Sequence, residues 1–310
     1  MLQRPFFLFI AGVLSLGMFN SCDQRRPDAA ATITRIDSVT IYCDEAFRYL
    51  MDQEKTVYEA TIPDKRVNLI YKPEAEVLDI LNKDSFAIVI IGRRLRQSER
   101  DEIYKKSRIQ VDEYSFAKDG IALIAGEQFK ADTLPYKTLA ALLSNTSKQY
   151  KLVFEGKGSG VISYMFSQFS PTTSAPSSSF AVPNTVALID YLQKDDNAIG
   201  FIPFGMISDE DDSTARNILK KVKVLNVADL DTLGKPRIST ASQSDIADGS
   251  YPFSRPINLV SHTMDNNVGT GFVNFLYKEQ SGRIVLKSGL VPTIMPQRVI
   301  NVNTDSLKTN

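Results

Sequence analysis

Short apolar runs alternate with amphipathic stretches through the first third of this chain. "DSVTIYC" (37–43) and "RVNLIY" (66–71) are rich in β-branched and aromatic residues, and "FAIVII" (86–91) is continuously apolar, as in a strand buried on both faces. Between them, "EAFRYLMDQEKTVYEA" (45–60) and "PEAEVLDILNK" (73–83) have helical spacing, with Phe47, Leu50, Met51 and Val57 or Tyr58 near one face of the first. The order βαβαβ predicts a parallel sheet covered by helices. "SRIQVDEYSFAKDGIALIAG" (107–126) follows as two extended runs with a bend at "KDG".

A second unit, about 130–248, repeats the alternation. It has a helix at "YKTLAALLS", a strand "YKLVF", a glycine turn "GKGSG", a helix from Val161, a Ser/Thr/Pro loop "SPTTSAPSSS", a helix "NTVALIDYLQK" and a buried strand "AIGFIPF". The acidic run "SDEDDS" reads as a solvated loop. An extended run, "GSYPFSRPINLVS", then leads to "NVGTGFVNFLYKEQSGRIVLKSGLVPT", read as two helices broken near Ser281–Gly282 and stopped by Gly289 and Pro292. α/β, then α/β, then a return suits two lobes with a ligand between them, and suits an enzyme cleft equally well.

With 310 residues, 43% hydrophobic and 23% charged, the chain has the length and balance of a two-lobed globular protein. Lys plus Arg equals Asp plus Glu at 36 each, so no overall field gathers nucleic acid or an anionic bilayer, and charge selectivity must be local. The N-terminus differs. "MLQRPFFLFIAGVLSLGMFNSC" has the layout of a secretory signal, with an apolar core shorter than the roughly 20 residues of a spanning helix. One reading is a signal cleaved after Ser21 with Cys22 incidental; the favoured one is a lipoprotein signal, which "FNSC" resembles, with Cys22 as the lipid-bearing residue. Residues 22–35 then form a tether. Cys43, the second of two cysteines, is left without a disulfide partner and reads as a small buried residue.

Catalytic equipment is sparse. His262 is the sole histidine, which excludes multi-histidine zinc sites, and "SHTMDNN" lacks a nucleophile-elbow context; a surface or hinge-proximal place is expected for it. "GKGSG" has neither P-loop nor GxGxxG spacing. In "GRRLRQSER", Arg93, Arg94, Arg96 and Arg100 stand at a helix start, most of them solvated and one or two available to a cleft. The glycine turn follows a strand and opens a helix, so its N–H groups can converge on an anion at the positive end of the helix, with Ser159 adding a hydroxyl and Lys157 a charge. The same residues suit a plain strand-to-helix turn equally well.

Taken together, "TIYCDEAF", "FAIVIIGRRLRQSE", "FAKDGIALIA", "FEGKGSGVISYMF", "NAIGFIPFGMI", "YPFSRPINLVS" and "GFVNFLYKEQSGRIVLKSGLVPT" cover most of the mature chain and resemble the substrate-binding proteins of the phosphate ABC importer, specifically the lipoprotein members of Bacteroidota. The resemblance implies an α/β, two-lobed type II periplasmic-binding-protein fold with two interlobe crossings, near Asp119–Gly120 and Arg255–Pro256. Residues 36–120 and 252–310 would form one lobe and 121–251 the other, after a signal at 1–21. It implies a non-enzymatic, lipid-anchored protein of the cell envelope facing the periplasm, without cofactor, metal or nucleic-acid partner, which delivers phosphate or a similar oxyanion to an ABC permease. Carried over by position, Ala46, Phe47, Gly92, Arg93, Lys157, Gly158, Ser159, Gly160 and Val161 form the ligand site.

The departures from that pattern are equally specific. Ala46 stands for a Ser or Thr, Val161 for a Thr, Glu155 for the family's arginine, and Pro73 lies where a hydroxyl is usual. Each lost donor to a dehydrated anion costs on the order of 1.5–3 kcal/mol. Three arrangements stay open: Glu155 points away while Lys157 and Arg93 supply charge, Glu155 pairs with an arginine, or the ligand is something other than phosphate. The alternative function is a degenerate lobe pair acting as an envelope sensor or scaffold.

Overall fold

The computed structural model describes residues 37–169, 176–262 and 268–296; the expected signal, Cys22 and the tether lie outside them. The apolar runs form β1 (Asp37–Asp44), β2 (Lys65–Lys72) and β3 (Ile88–Ile91), and the amphipathic stretches form α1 (Arg48–Thr61), α2 (Glu74–Lys83) and α3 (Gln97–Ser107). All four residues of β3 are buried, which is why its sequence shows no alternation. β4 (Asp112–Ala125) is followed by β5 (Thr133–Pro135), α4 (Tyr136–Leu143), β6 (Lys151–Glu155), α5 (Gly160–Phe169), β7 (Ser179–Val182), α6 (Thr185–Leu192) and β8 (Ala198–Pro203). Then come α7 (Ser213–Leu219), β9 (Lys223–Val224), β10 (Asn226–Leu230), β11 (Pro236–Ser239) and α8 (Gln243–Ala247). β12 (Ser254–Ser261), α9 (Val268–Leu276), α10 (Glu279–Lys287) and β13 (Val291–Pro292) complete the described chain.

One large sheet runs in the order β2-β1-β3-β12-β4-β8-β6-β7, with β9 and β13 also on β4. β1 pairs parallel with β2 and β3, and β6 parallel with β7 and β8, so each half carries the βαβ units that the alternation predicts. β4 joins the halves: its beginning pairs antiparallel with β12 and its end antiparallel with β8. A small sheet, β11-β10-β5, lies apart. The fold is therefore mixed α/β with a large curled sheet crossed by two adjacent chain segments, and in the β12–β4 register Arg255 stands opposite Asp119.

Three local expectations are corrected. "KDG" does not bend the chain, because β4 is continuous and Lys118, Asp119 and Gly120 are all held in register against β12. The break between the last two helices falls at Tyr277–Lys278, and Ser281 and Gly282 lie inside α10 with both residues buried. Gly282 serves close packing there, since a Cβ would meet Ile294 O at 2.9 Å and Pro296 at 3.1 Å. His262, expected at the surface or near a hinge, is buried just past the end of β12.

Helix α1 buries Leu50, Met51 and Tyr58 as the spacing predicts, and with them Glu54. Ser281 Oγ donates to Glu54 Oε1 at 2.9 Å, while Oε2 has no donor among the described residues. Burial pushes the Glu54 carboxyl from 4.5 up to about 8, against that hydrogen bond. A raised folded-state value means that its stabilising contribution is complete below about 4.5 and is lost as pH rises through about 8. Glu54→Gln is therefore expected to flatten the stability profile across this window and to add on the order of 2 kcal/mol at its alkaline end. Urea unfolding at both ends checks this; an unchanged slope would mean that Glu54 stays ionised.

Candidate ligand-binding site

Three chain segments of the first half-sheet end at one buried point. β1 runs into a 3-10 turn, Glu45–Phe47, capped by Asp44, whose Oδ1 accepts from Ala46 N at 3.2 Å. α2 follows Pro73 and opens with Glu74, an acid suited to the positive end of a helix. The loop after β3 brings in Gly92 and Arg93. Glu74 Oε2 accepts from Gly92 N at 3.4 Å and Oε1 from Arg93 Nε at 2.8 Å. Arg93 also donates to both Glu99 oxygens, at 2.9 and 2.8 Å. Burial opposes ionisation of Glu99, yet hydrogen bonds from Arg93 and Arg96 hold its carboxyl at about 2.

From the other half, the glycine turn between β6 and α5 comes against this point. Gly156 and Gly158 have φ of +66° and +79°, a conformation that glycine adopts without strain. Gly158 O accepts from Ala75 N, in the first turn of α2, at 3.2 Å. Gly160 sits so close to Asp44 and Glu74 that any Cβ would collide with Asp44 Oδ2 and lie 2.9 Å from Glu74 Oε2. Thus the donors of Ala46, Ala75 and Gly92 are all met by the protein's own oxygens, two of them on carboxyl groups. The point is a cradle of backbone N–H groups already filled by the protein's own oxygens.

Asp44 is buried, and Oδ2 has no donor among the described residues. Burial, and then the adjacent Glu74, push its carboxyl up to about 7 against the pull of Arg255. Arg255 itself is wholly buried, pairing with Asp119 Oδ2 through Nη2 at 2.9 Å and Nε at 3.2 Å, and its guanidinium carbon lies 4.7 Å from the centre of the Phe47 ring. Its Nη1 has no acceptor among the described residues and faces Gly92, where a Cβ would approach to 2.8 Å.

Beside the cradle opens a cavity of about 560 Å³. Asp44, Glu45, Asp52, Glu155, Asp209 and Asp212 line it; Arg48 is the one basic residue of the lining, with its guanidinium 3.9 Å from the Tyr71 ring centre. Of the site residues expected from sequence, Ala46, Ser159 and Val161 line the cavity, while Phe47, Gly92, Arg93, Gly158 and Gly160 surround the cradle. Lys157 is exposed and outside the lining. Glu155 lines it and accepts from the Thr185 hydroxyl at 2.6 Å. Among the described residues no His, Cys, Asp or Glu group is arranged for a metal ion.

Asp44, Glu74, Asp119 and Arg255 were not singled out as site residues from sequence. Asp44 and Glu74 read as an ordinary cap and an ordinary first-turn acid. The second pair carried a usable signal, because Asp119 and Arg255 are opposite charges set in the two crossing strands.

The family model of the PBP superfamily domain matches residues 28–280. A phosphate-binding protein, PstS 2, of Streptococcus pneumoniae is 26% identical over 102 residues, which is 33% of this chain and 28% of that protein's length. A solved structure described as a phosphate ABC transporter substrate-binding protein with bound phosphate, from Clostridium perfringens, superposes with a TM-score of 0.65 at 19% identity, covering 83% of this chain and 100% of the other. An ABC-type phosphate transport receptor from Vibrio cholerae gives 0.61 at 17% identity over 82% of this chain and 99% of its own. At these identities the superpositions speak for the fold.

Proposed function

The chain belongs to the PBP superfamily, and from that premise we propose that it is a solute-binding lipoprotein, anchored through Cys22 on the periplasmic side of the envelope, that captures phosphate or a similar oxyanion for an ABC permease. It binds rather than transforms its ligand. One observation carries the reading: the N–H groups of Ala46 and Gly92, at loop starts of the first half of the sheet, meet a buried point where carboxyl groups already sit, and the start of α5 closes on that point from the other half. The phosphate-binding relatives support the choice of anion.

Opening about the crossings at Asp119 and Arg255 would part Gly158 from Ala75 and Gly160 from the two acids, leaving the Ala75 N–H and the space beside Asp44 and Glu74 for an incoming anion. Asp44 Oδ2 then offers an acceptor without a donor, and Arg255 Nη1 a donor without an acceptor. An oxyanion that still bears a proton satisfies both, donating O–H to the first and accepting from the second. Phosphate has that proton at neutral pH and sulfate does not.

Isothermal titration of the protein with phosphate and sulfate at pH about 6 and about 8 tests the reading. Asp44, raised to about 7, is mostly protonated at the lower pH and can itself donate to either anion, whereas the ionised form at the higher pH accepts only from an oxyanion that bears a proton; phosphate affinity is therefore expected to fall about tenfold with rising pH, and sulfate binding to be lost at the higher pH. Absence of heat with phosphate, arsenate, molybdate and tungstate at both pH values would remove oxyanion capture. It would favour a second reading, a lobe pair that serves as an envelope sensor or scaffold. The internal satisfaction of Ala46, Ala75 and Gly92 is the observation on its side.

A further inference from the structure

We infer that the ligand of this site is a phosphate or phosphonate that also carries a protonated amine, an inference that rests on the oxyanion reading above. The cradle and the cavity beside it make opposite chemical demands. The cradle gathers backbone donors, those of Ala75 and Gly92 now met by Gly158 O and Glu74 Oε2, and such a gathering suits an oxyanion. The cavity wall is acidic: Glu155 ends β6, Asp52 comes from α1, and Asp209 stands in the loop before α7.

Among the described residues none of the six lining acids forms an ion pair, although the surface elsewhere has many. Local structure accounts for some of them, since Asp212 caps α7 and Asp52 accepts from the Tyr71 hydroxyl. It does not account for Asp44. That side chain is 1% exposed, borders both cradle and cavity, and leaves Oδ2 without a donor among the described residues. A buried carboxylate oxygen has two lone pairs, so beside the O–H of the oxyanion Oδ2 can accept from an ammonium group, which adds the opposite charge.

Size points the same way. A free phosphate has five heavy atoms, whereas about 560 Å³ is in the range of cavities that take whole small organic molecules. Tyr49, Phe201 and Met206 give the cavity apolar wall on which a short methylene linker can rest. One ligand with an oxyanion at the α5 start and an amine among Asp44, Glu155 and Asp209 meets every one of these features. Glu155, where the family resemblance implies an arginine, thereby changes from a liability into a specificity residue.

The experiment is isothermal titration of the purified protein with four probes: phosphate, ethylphosphonate, 2-aminoethylphosphonate and ethanolamine. The aminophosphonate is expected to bind at least about tenfold more tightly than ethylphosphonate and than ethanolamine. In Glu155→Gln and in Asp209→Asn the preference over ethylphosphonate is expected to shrink to about threefold or less. Equal affinity for ethylphosphonate, or tighter binding of phosphate, overturns the amine while leaving oxyanion capture in place. Ethanolamine binding as tightly as the aminophosphonate overturns the need for the anion. Silence with all four probes removes the oxyanion reading, and this inference with it.

Discussion

Arg255→Ala is expected to cost about 3–5 kcal/mol of folding stability. Both side chains of the Arg255–Asp119 pair are 0% exposed. Asp119 Oδ1 also accepts from Gly205 N at 3.3 Å, so the carboxylate is tied from two sides and cannot swing to water when its partner is lost. Burial already raises the Asp119 carboxyl, and without Arg255 the opposing attraction disappears. The variant must therefore bury an unpaired charge or take up a proton. A paired substitution, Arg255→Met with Asp119→Asn, leaves no charge and keeps an oxygen for Gly205, so it should recover most of the loss. Urea unfolding of the single and double variants decides the matter. A loss below about 1 kcal/mol in the single variant would mean that water reaches the pair, as in a cleft that stands open.

Glu74→Gln is expected to raise phosphate affinity about 10- to 100-fold near neutral pH. In the native chain this carboxylate holds Gly92 N and lies beside Gly160, in the space an incoming anion needs. Glutamine keeps an oxygen for Arg93, and Arg93 retains its two bonds to Glu99, so the fold should tolerate the change. The effect has a second readout. Glu74 is one cause of the raised Asp44 carboxyl, so its neutralisation should move the fall in phosphate affinity to lower pH. Unchanged binding, or none in either protein, would count for a lobe pair without a small-anion ligand.

Sequence by itself determined the element order and the class of fold. Strand and helix patterns are local, and the runs at "VTIYC", "FAIVII" and "AIGFIPF" differ from the helical spacing of α1 and α2 in period and in branching. The glycine turn was legible for the same reason, since three glycines within five residues constrain the backbone whatever surrounds them. Where pairing decides, local signals misled: "KDG" resembles a bend, but β12 holds it straight, and Gly282 resembles a breaker, but close packing against Ile294 keeps it within α10.

Only the tertiary structure decided what the turn faces. Asp44 and Glu74 have the ordinary residue types of helix starts, and nothing along the chain reports that the second half of the sheet covers them. Burial comes from Gly160 and its neighbours, distant in sequence from both acids, and burial is what raises the Asp44 carboxyl to about 7 and leaves its Oδ2 without a donor among the described residues. The acidic wall is likewise assembled from α1, β6 and the loop before α7, no two of which are adjacent in the chain. Net charge along the sequence is zero, and the local charge at the cavity exists only once the fold has gathered those residues around it.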